Sequence, residues 1–117
     1  MKITLKGNPL STNHIYRHNR YGVYMTPKGK ALKESYQWDA KTQFKGDPIY
    51  GPVELDIKLY FGDKRKRDID NYNKILLDSM SGIVFDDDKQ IQKIIIEKGF
   101  DKKKPRTEIE INKYGKK

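Results

Sequence analysis

Asp68 and Asp70 stand two residues apart in "KRKRDIDNYNK", residues 64–74, directly after four consecutive basic side chains. In extended backbone an i, i+2 pair projects both carboxylates to one side, so the two can share a ligand. Hard oxygen donors at that spacing suit Mg²⁺ or Mn²⁺, which take one or two protein carboxylates and complete their shell with water and substrate phosphate. A third acid helps such a site, and Asp86, Asp87 and Asp88 open the next strand-like stretch. If the strands flanking the intervening helix lie close together, one of these three reaches the first pair. Lys74 follows Asp70 by one helical turn and projects over the same end of the helix. An ammonium there can stabilise charge on a scissile phosphate or its leaving oxygen. Metal-dependent phosphodiester cleavage needs these parts. The run Lys64, Arg65, Lys66 and Arg67 would hold the nucleic-acid backbone while the acids after it hold the metal.

The same residues also admit a purely architectural reading. Asp70 can cap the helix that follows, Asp68 can pair with Arg65 or Arg67, and an acidic cluster at a strand start can be a solvated turn. A calcium loop is excluded, because "DIDNYNK" would place Asn73 where the EF-hand needs glycine and Ser79 where it needs glutamate. His14 and His18 are spaced i, i+4 but lie between Pro9 and Gly22, where no helix aligns them, so neither joins the metal set. Tyr16, Arg17 and Arg20 in the same segment can stack on bases or hold phosphate, or the tyrosine can pack beneath a folded loop.

The elements that must position these groups follow from periodicity. Ile3 and Leu5 alternate with polar neighbours over Lys2 to Lys6, a short half-buried strand. The breakers Gly7, Pro9, Asn13, Asn19 and Gly22 make the next stretch a long loop. Thr26 before Pro27 is a helix N-cap, and Leu32, Tyr36, Ala40 and Phe44 recur every fourth residue behind it. "GDPIYGP" is a turn, and Val53, Leu55, Ile57 and Leu59 then alternate with polar residues in a second strand. Tyr72, Ile75, Leu76 and Met80 form the stripe of a second helix over about 71–81, which Gly82 ends. Ile91, Ile94, Ile95 and Ile96 suit a third strand opened by the aspartates, and "RTEIEINKY" alternates as a fourth, with "KYGKK" fraying at the end. The expected fold is α+β: one domain, a four-stranded mixed sheet and two main helices in the order β-α-β-α-β-β.

Composition sets the class. A chain of 117 residues fits one domain, and a net charge of +9 favours polyanionic partners, nucleic acid above all. Hydrophobic and charged fractions of 35% each are lean for a monomer, so a subunit interface is expected to contribute to stability. No apolar run approaches the ~20 residues that span a bilayer, and "MKITLKGNPL" lacks a signal-peptide core, so a cytosolic protein without membrane association is expected. The absence of cysteine excludes disulfides, zinc-thiolate sites and a thiol nucleophile.

In combination, "DKRKRDIDNYNKILLDSM" and "VFDDDKQI" resemble the core signature of the RusA family of Holliday junction resolvases, small basic endonucleases of bacteria, prophages and phages. "NPLSTNHIYRHNR" is similar to the family's proline-rich segment with its asparagine and Tyr-Arg pair, which adds Asn13 to the DNA-binding candidates. The resemblance implies a homodimer that binds four-way DNA junctions and nicks two opposed strands with Mg²⁺. It implies catalytic roles for Asp68, Asp70, Lys74 and, two places before Gln90, Asp88. Two departures stand out: Pro9 is followed by Leu10 rather than a second proline, and three consecutive aspartates leave Asp87 competing with Asp88 as third ligand. A non-catalytic nucleic-acid-binding module, and a nuclease with the same metal site that cuts flaps, forks or RNA hairpins, are the rival readings.

Overall fold

A computed structural model describes residues 1–115. The elements run β1 (Lys2–Lys6), α1 (Thr12–Ile15), β2 (Tyr16–Asn19), β3 (Gly22–Met25), α2 (Pro27–Gln43), β4 (Val53–Phe61), α3 (Asn73–Met80), β5 (Ile91–Phe100) and β6 (Arg106–Lys113). Two 3-10 turns, Ile69–Asn71 and Asp88–Gln90, precede α3 and β5.

Four strands form one mixed sheet in the order β1-β6-β4-β5. β6 lies antiparallel to both β1 and β4, and β4 lies parallel to β5. A parallel neighbour requires a crossover, and the segment carrying α3 supplies it. The alternation read from the sequence is the cause of the sheet's two faces. Ile3, Leu5, Val53, Leu55, Ile57, Leu59, Phe61, Ile109 and Ile111 are buried, in register as Ile3 with Ile109 and Leu55 with Ile111. On the other face Glu54, Asp56, Lys58, Glu108 and Glu110 are exposed or half-buried, with ion pairs such as Lys58–Glu97 at 3.3 Å and Lys2–Glu108 at 3.0 Å. Helix α2 packs on β1 and α3. Tyr36 and Ala40 of α2 and Ile75, Leu76 and Met80 of α3 complete the core.

The two helix starts differ. Thr26 caps α2 as expected, its hydroxyl accepting from the Gly29 N–H at 3.0 Å, with Pro27 at the first helical position. The second helix is shorter than the expected 71–81. Its first turn is taken by the 3-10 turn, and its N-cap is Tyr72 rather than Asp70. Gly82, at φ +85, follows the end of α3 as expected.

Two expectations are corrected. The long loop after β1 contains a helical turn and a β-hairpin, in which Tyr16 pairs with Met25 and Asn19 with Gly22. Gly22 takes φ +122, and Asn19 Oδ1 accepts the Tyr21 N–H at 2.8 Å, so a two-residue connection closes the hairpin. The aspartates do not open β5. Asp88 begins a 3-10 turn, and the strand starts at Ile91 and runs on to Phe100. Within the sheet β4 is flanked on both sides. The β1 edge is also covered, since Gln43 bonds both the N–H (2.8 Å) and the carbonyl (2.7 Å) of Thr4 and Asp39 accepts the Lys6 N–H at 3.0 Å. β5 remains the edge strand paired on one side, with Ile94, Ile95 and Phe100 exposed. Of the expected fraying at 113–117, Lys113 lies in β6 and Tyr114 N–H bonds the Pro52 carbonyl at 2.9 Å; Lys116 and Lys117 lie outside the described residues.

Candidate functional site

The chain leaves the sheet at Phe61 and re-enters regular structure at α3, and the basic run and the first aspartates occupy the link. Aromatic packing pins this link. The Tyr72 ring meets Phe61 edge-on at 5.2 Å, and the Arg67 guanidinium covers the other aromatic partner, 4.3 Å from the Phe61 centroid. Arg67 and Ile69 are half-buried and Tyr72 is buried, while Asp68 and Asp70, on either side of Ile69, are turned outward and exposed. That alternation, imposed by a turn rather than by extended backbone, exposes both carboxylates. The architectural reading of the pair is not realised among the described residues. Neither carboxylate caps a helix, and Arg65 and Arg67 pair with Asp63 instead, at 3.4 and 2.8 Å. Both acids are thus available to a ligand.

The basic run divides. Arg67 is tucked in: its side chain is only 11% exposed, stacked on Phe61 and bonded to Asp63 and to the Arg65 carbonyl at 3.2 Å. It organises the link, and Lys98 Nζ reinforces this by donating to the Arg67 carbonyl at 2.8 Å. Lys64, Arg65 and Lys66 are exposed, with Lys64 Nζ 5.0 Å from the Phe100 ring. Lys64, Arg65 and Arg67, with Asp63, Lys98 and Phe100, border an open cleft of about 330 Å³. Depressions on the outer face of the sheet are lined by charges of both signs, Glu54, Asp56, Glu108 and Glu110 with Lys2, Lys58 and Lys93, and lack the excess of cations found beside the link.

The N-terminal segment reaches the same place. Thr12 Oγ1 donates to the Asn71 carbonyl at 2.8 Å, joining α1 to the turn that carries Asp70. The Tyr16 hydroxyl donates to Asp78 Oδ2 at 2.5 Å, and Lys74 Nζ lies 3.5 Å from that same oxygen and 4.9 Å from the Tyr16 ring. Burial, helped by the Asp78 carboxylate, pushes the Tyr16 hydroxyl well above its ordinary pKa, so it stays a donor. Asn13, Arg17 and Arg20 of the same segment are exposed, Arg20 lying 5.0 Å from the Tyr21 ring. Asp78 is the residue that sequence reasoning missed. Its i, i+4 spacing from Lys74 was legible, but the tyrosine from a distant hairpin was not.

The three consecutive aspartates have separate fates. The Asp87 carboxylate closes a capping box, accepting the Lys89 N–H at 2.9 Å, while Gln90 Oε1 accepts the Asp86 and Asp87 N–H groups at 2.8 and 3.0 Å. Gln90 Nε2 ties this turn to the carbonyls of Ile49 and Gly51, at 2.8 and 2.9 Å. The Lys89 N–H holds the Asp87 carboxyl below its usual range. The hydrogen-bonded Asp87 carboxylate pushes Asp88 the other way, with Asp78 adding to the rise and Lys74 opposing it. Among the described residues no group of three or more acidic or histidine side chains converges on one metal position.

An α+β domain whose basic link between strand and helix presents free carboxylates, a lysine and an adjoining cationic cleft has the make-up of a phosphodiesterase acting on nucleic acid. The profile of the family described as Endodeoxyribonuclease RusA matches residues 6–112, and the chain belongs to that family of junction-resolving endonucleases. It is 29% identical over 113 residues to the crossover junction endodeoxyribonuclease RusA of Escherichia coli strain K12, covering 92% of this chain and 90% of that protein. The enzyme of the same name from Enterobacteria phage 82 matches to the same extent, 29% over 113 residues. That of Escherichia coli O139:H28 is 29% identical over 97 residues, 78% of this chain and 81% of its own length. No helix among the described residues is long and apolar enough to cross a membrane.

Proposed function

We propose that this protein is a divalent-metal-dependent endodeoxyribonuclease that resolves four-way DNA junctions by paired nicks, acting as a homodimer in recombination and repair. The observation that carries the reading is that Asp68 and Asp70 point outward, unpaired among the described residues, on a link whose neighbouring side chains are cationic. The substrate class follows from the relatives, which are named for cutting crossover junctions.

The donor set fits Mg²⁺ or Mn²⁺, hard ions that need only one or two protein carboxylates when substrate phosphate fills part of the shell. Asp68 and Asp70 would hold the ion. Asp88 is the better third ligand, because Asp87 is spent on its own capping turn. When bound, such an ion polarises the phosphate and acidifies a water molecule. The protein's own side chains do the rest. Lys64, Arg65 and Lys66 hold backbone phosphates, as do Arg17 and Arg20 from the hairpin, while Tyr16 and Asn13 line the approach. Lys74 offsets negative charge that develops on the leaving oxygen. Arg67 supports the link from within.

A homodimer follows from the task, since paired cuts in strands related by two-fold symmetry suit two identical sites. The β5 edge, with exposed Ile94, Ile95 and Phe100, offers apolar surface for a second subunit. Incubating purified protein with a labelled four-way junction and a matched linear duplex, with and without Mg²⁺, tests the reading. Nicks confined to the junction and to Mg²⁺ are expected. Binding without cutting would leave a non-catalytic module, and cutting confined to flaps or forks would redirect the specificity.

A further inference from the structure

Asp78 is at odds with its helix. It lies in the last turn of α3, which holds no basic residue and where the negative end of the helix dipole disfavours an acid. What it gains is two donors from two elements. Oδ2 accepts the Tyr16 hydroxyl at 2.5 Å and lies 3.5 Å from Lys74 Nζ. Tyr16 opens β2, and within the hairpin only Tyr16 and its register partner Met25 are half-buried, the other strand residues being exposed. The Tyr16–Asp78 bond is thus the polar root of an otherwise solvent-facing arm bearing Arg17 and Arg20. Lys74 is a long, rotamer-rich chain with 55% of its surface exposed, and its ammonium is bracketed by the Asp78 carboxylate and the Tyr16 ring.

We propose that Asp78 is a positioning residue of this site: its carboxylate fixes the Lys74 ammonium and, through the Tyr16 hydroxyl, docks the Tyr16–Met25 hairpin against α3. The inference rests on the nuclease reading for its catalytic consequence, and on geometry alone for the tether. A surface ion pair at this distance stabilises little by itself. The benefit is orientation, since displacing a charge-stabilising group by about 1 Å costs on the order of a hundredfold in rate.

The test measures single-turnover nicking of a four-way junction with Mg²⁺, alongside junction affinity. Asp78→Asn keeps the size and an acceptor for Tyr16 but removes the charge. It should slow nicking by roughly ten- to a hundredfold while the Kd stays within about threefold. In a Lys74→Ala background the same change should add less than about twofold, because Asp78 acts through Lys74. Equal losses in both backgrounds would reduce Asp78 to a folding role and overturn the proposal. A second measurement needs neither metal nor DNA. Acetylation of Lys74 should rise several-fold in Asp78→Ala, and tryptic cutting after Arg17 and Arg20 should rise several-fold in both Asp78→Ala and Tyr16→Phe, with the thermal midpoint little changed. Unchanged rates would overturn the tether. A wild-type protein inert on junctions, but with these rises present, would remove the nuclease reading and leave the tether standing.

Discussion

Gly29→Ala puts the placement of the N-terminal arm under direct strain. Gly29 is in the first turn of α2, against the end of α1, and a Cβ there would lie 2.8 Å from Ile15 Cγ2, 2.8 Å from the Ile15 carbonyl oxygen and 2.9 Å from its Cα. Two of these three atoms are backbone, so no rotamer change relieves the contact. The same spot carries the Thr26 N–H to Ile15 carbonyl bond at 2.8 Å and the Thr26 hydroxyl bond to the His14 carbonyl at 2.8 Å. Alanine gains at most about 1 kcal/mol in helix preference over glycine. Overpacking costs about 1–3 kcal/mol, and one weakened hydrogen bond adds about 1 kcal/mol. The net is a destabilisation of about 2 kcal/mol, which for a domain of this size lowers Tm by roughly 8 °C. Thermal and urea unfolding followed by circular dichroism read it directly. An alanine variant as stable as the parent, or more so, would show that α2 is free to retreat from Ile15 and that the arm is not held by this contact.

Three further outcomes follow from the same structure. Lys64→Ala and Lys66→Ala should each weaken junction binding across DNA sequences and reduce the salt slope of log K by roughly one, whereas a change confined to cleavage-site choice would indicate base reading. Arg106, then Lys2, hold the Glu108 carboxyl below its usual range. That stabilisation is complete above the ordinary value of about 4.3 and is lost as pH falls through the lowered folded value, so Glu108→Gln should flatten the acid limb of a Tm-against-pH curve. An acid limb identical to the parent's would remove Glu108 from the account. Sedimentation equilibrium at micromolar concentration should give twice the chain mass, and a monomer that still made paired, symmetric nicks would refute the dimer mechanism.

What could be read from the sequence was what one buried face dictates. β1, β4 and β6 announce themselves through alternation, and α2 through its four-residue repeat and the Thr26-Pro27 start, because the core faces enforce those periods. The hairpin Tyr16–Met25 was hidden for the converse reason: with both its faces largely in solvent, no apolar period exists to detect. The site was legible as far as its local spacing reached. Asp68 and Asp70 fall on one link and Lys74 in the helical turn after it, but only the fold turns Arg67 inward, sends Asp87 into a cap and hands Asp78 to a tyrosine more than sixty residues away. Contacts of that separation leave no periodic trace in a single chain.

The central claim is that the outward carboxylates before α3 serve the chemistry and not the fold, and Asp70→Asn separates the two. Side by side with the parent, this variant should melt at the same temperature and bind a four-way junction equally or slightly more tightly, because a negative charge near the phosphates is gone. It should no longer nick that junction in Mg²⁺. Full nicking by Asp70→Asn, or loss of nicking only in step with unfolding, would contradict the account.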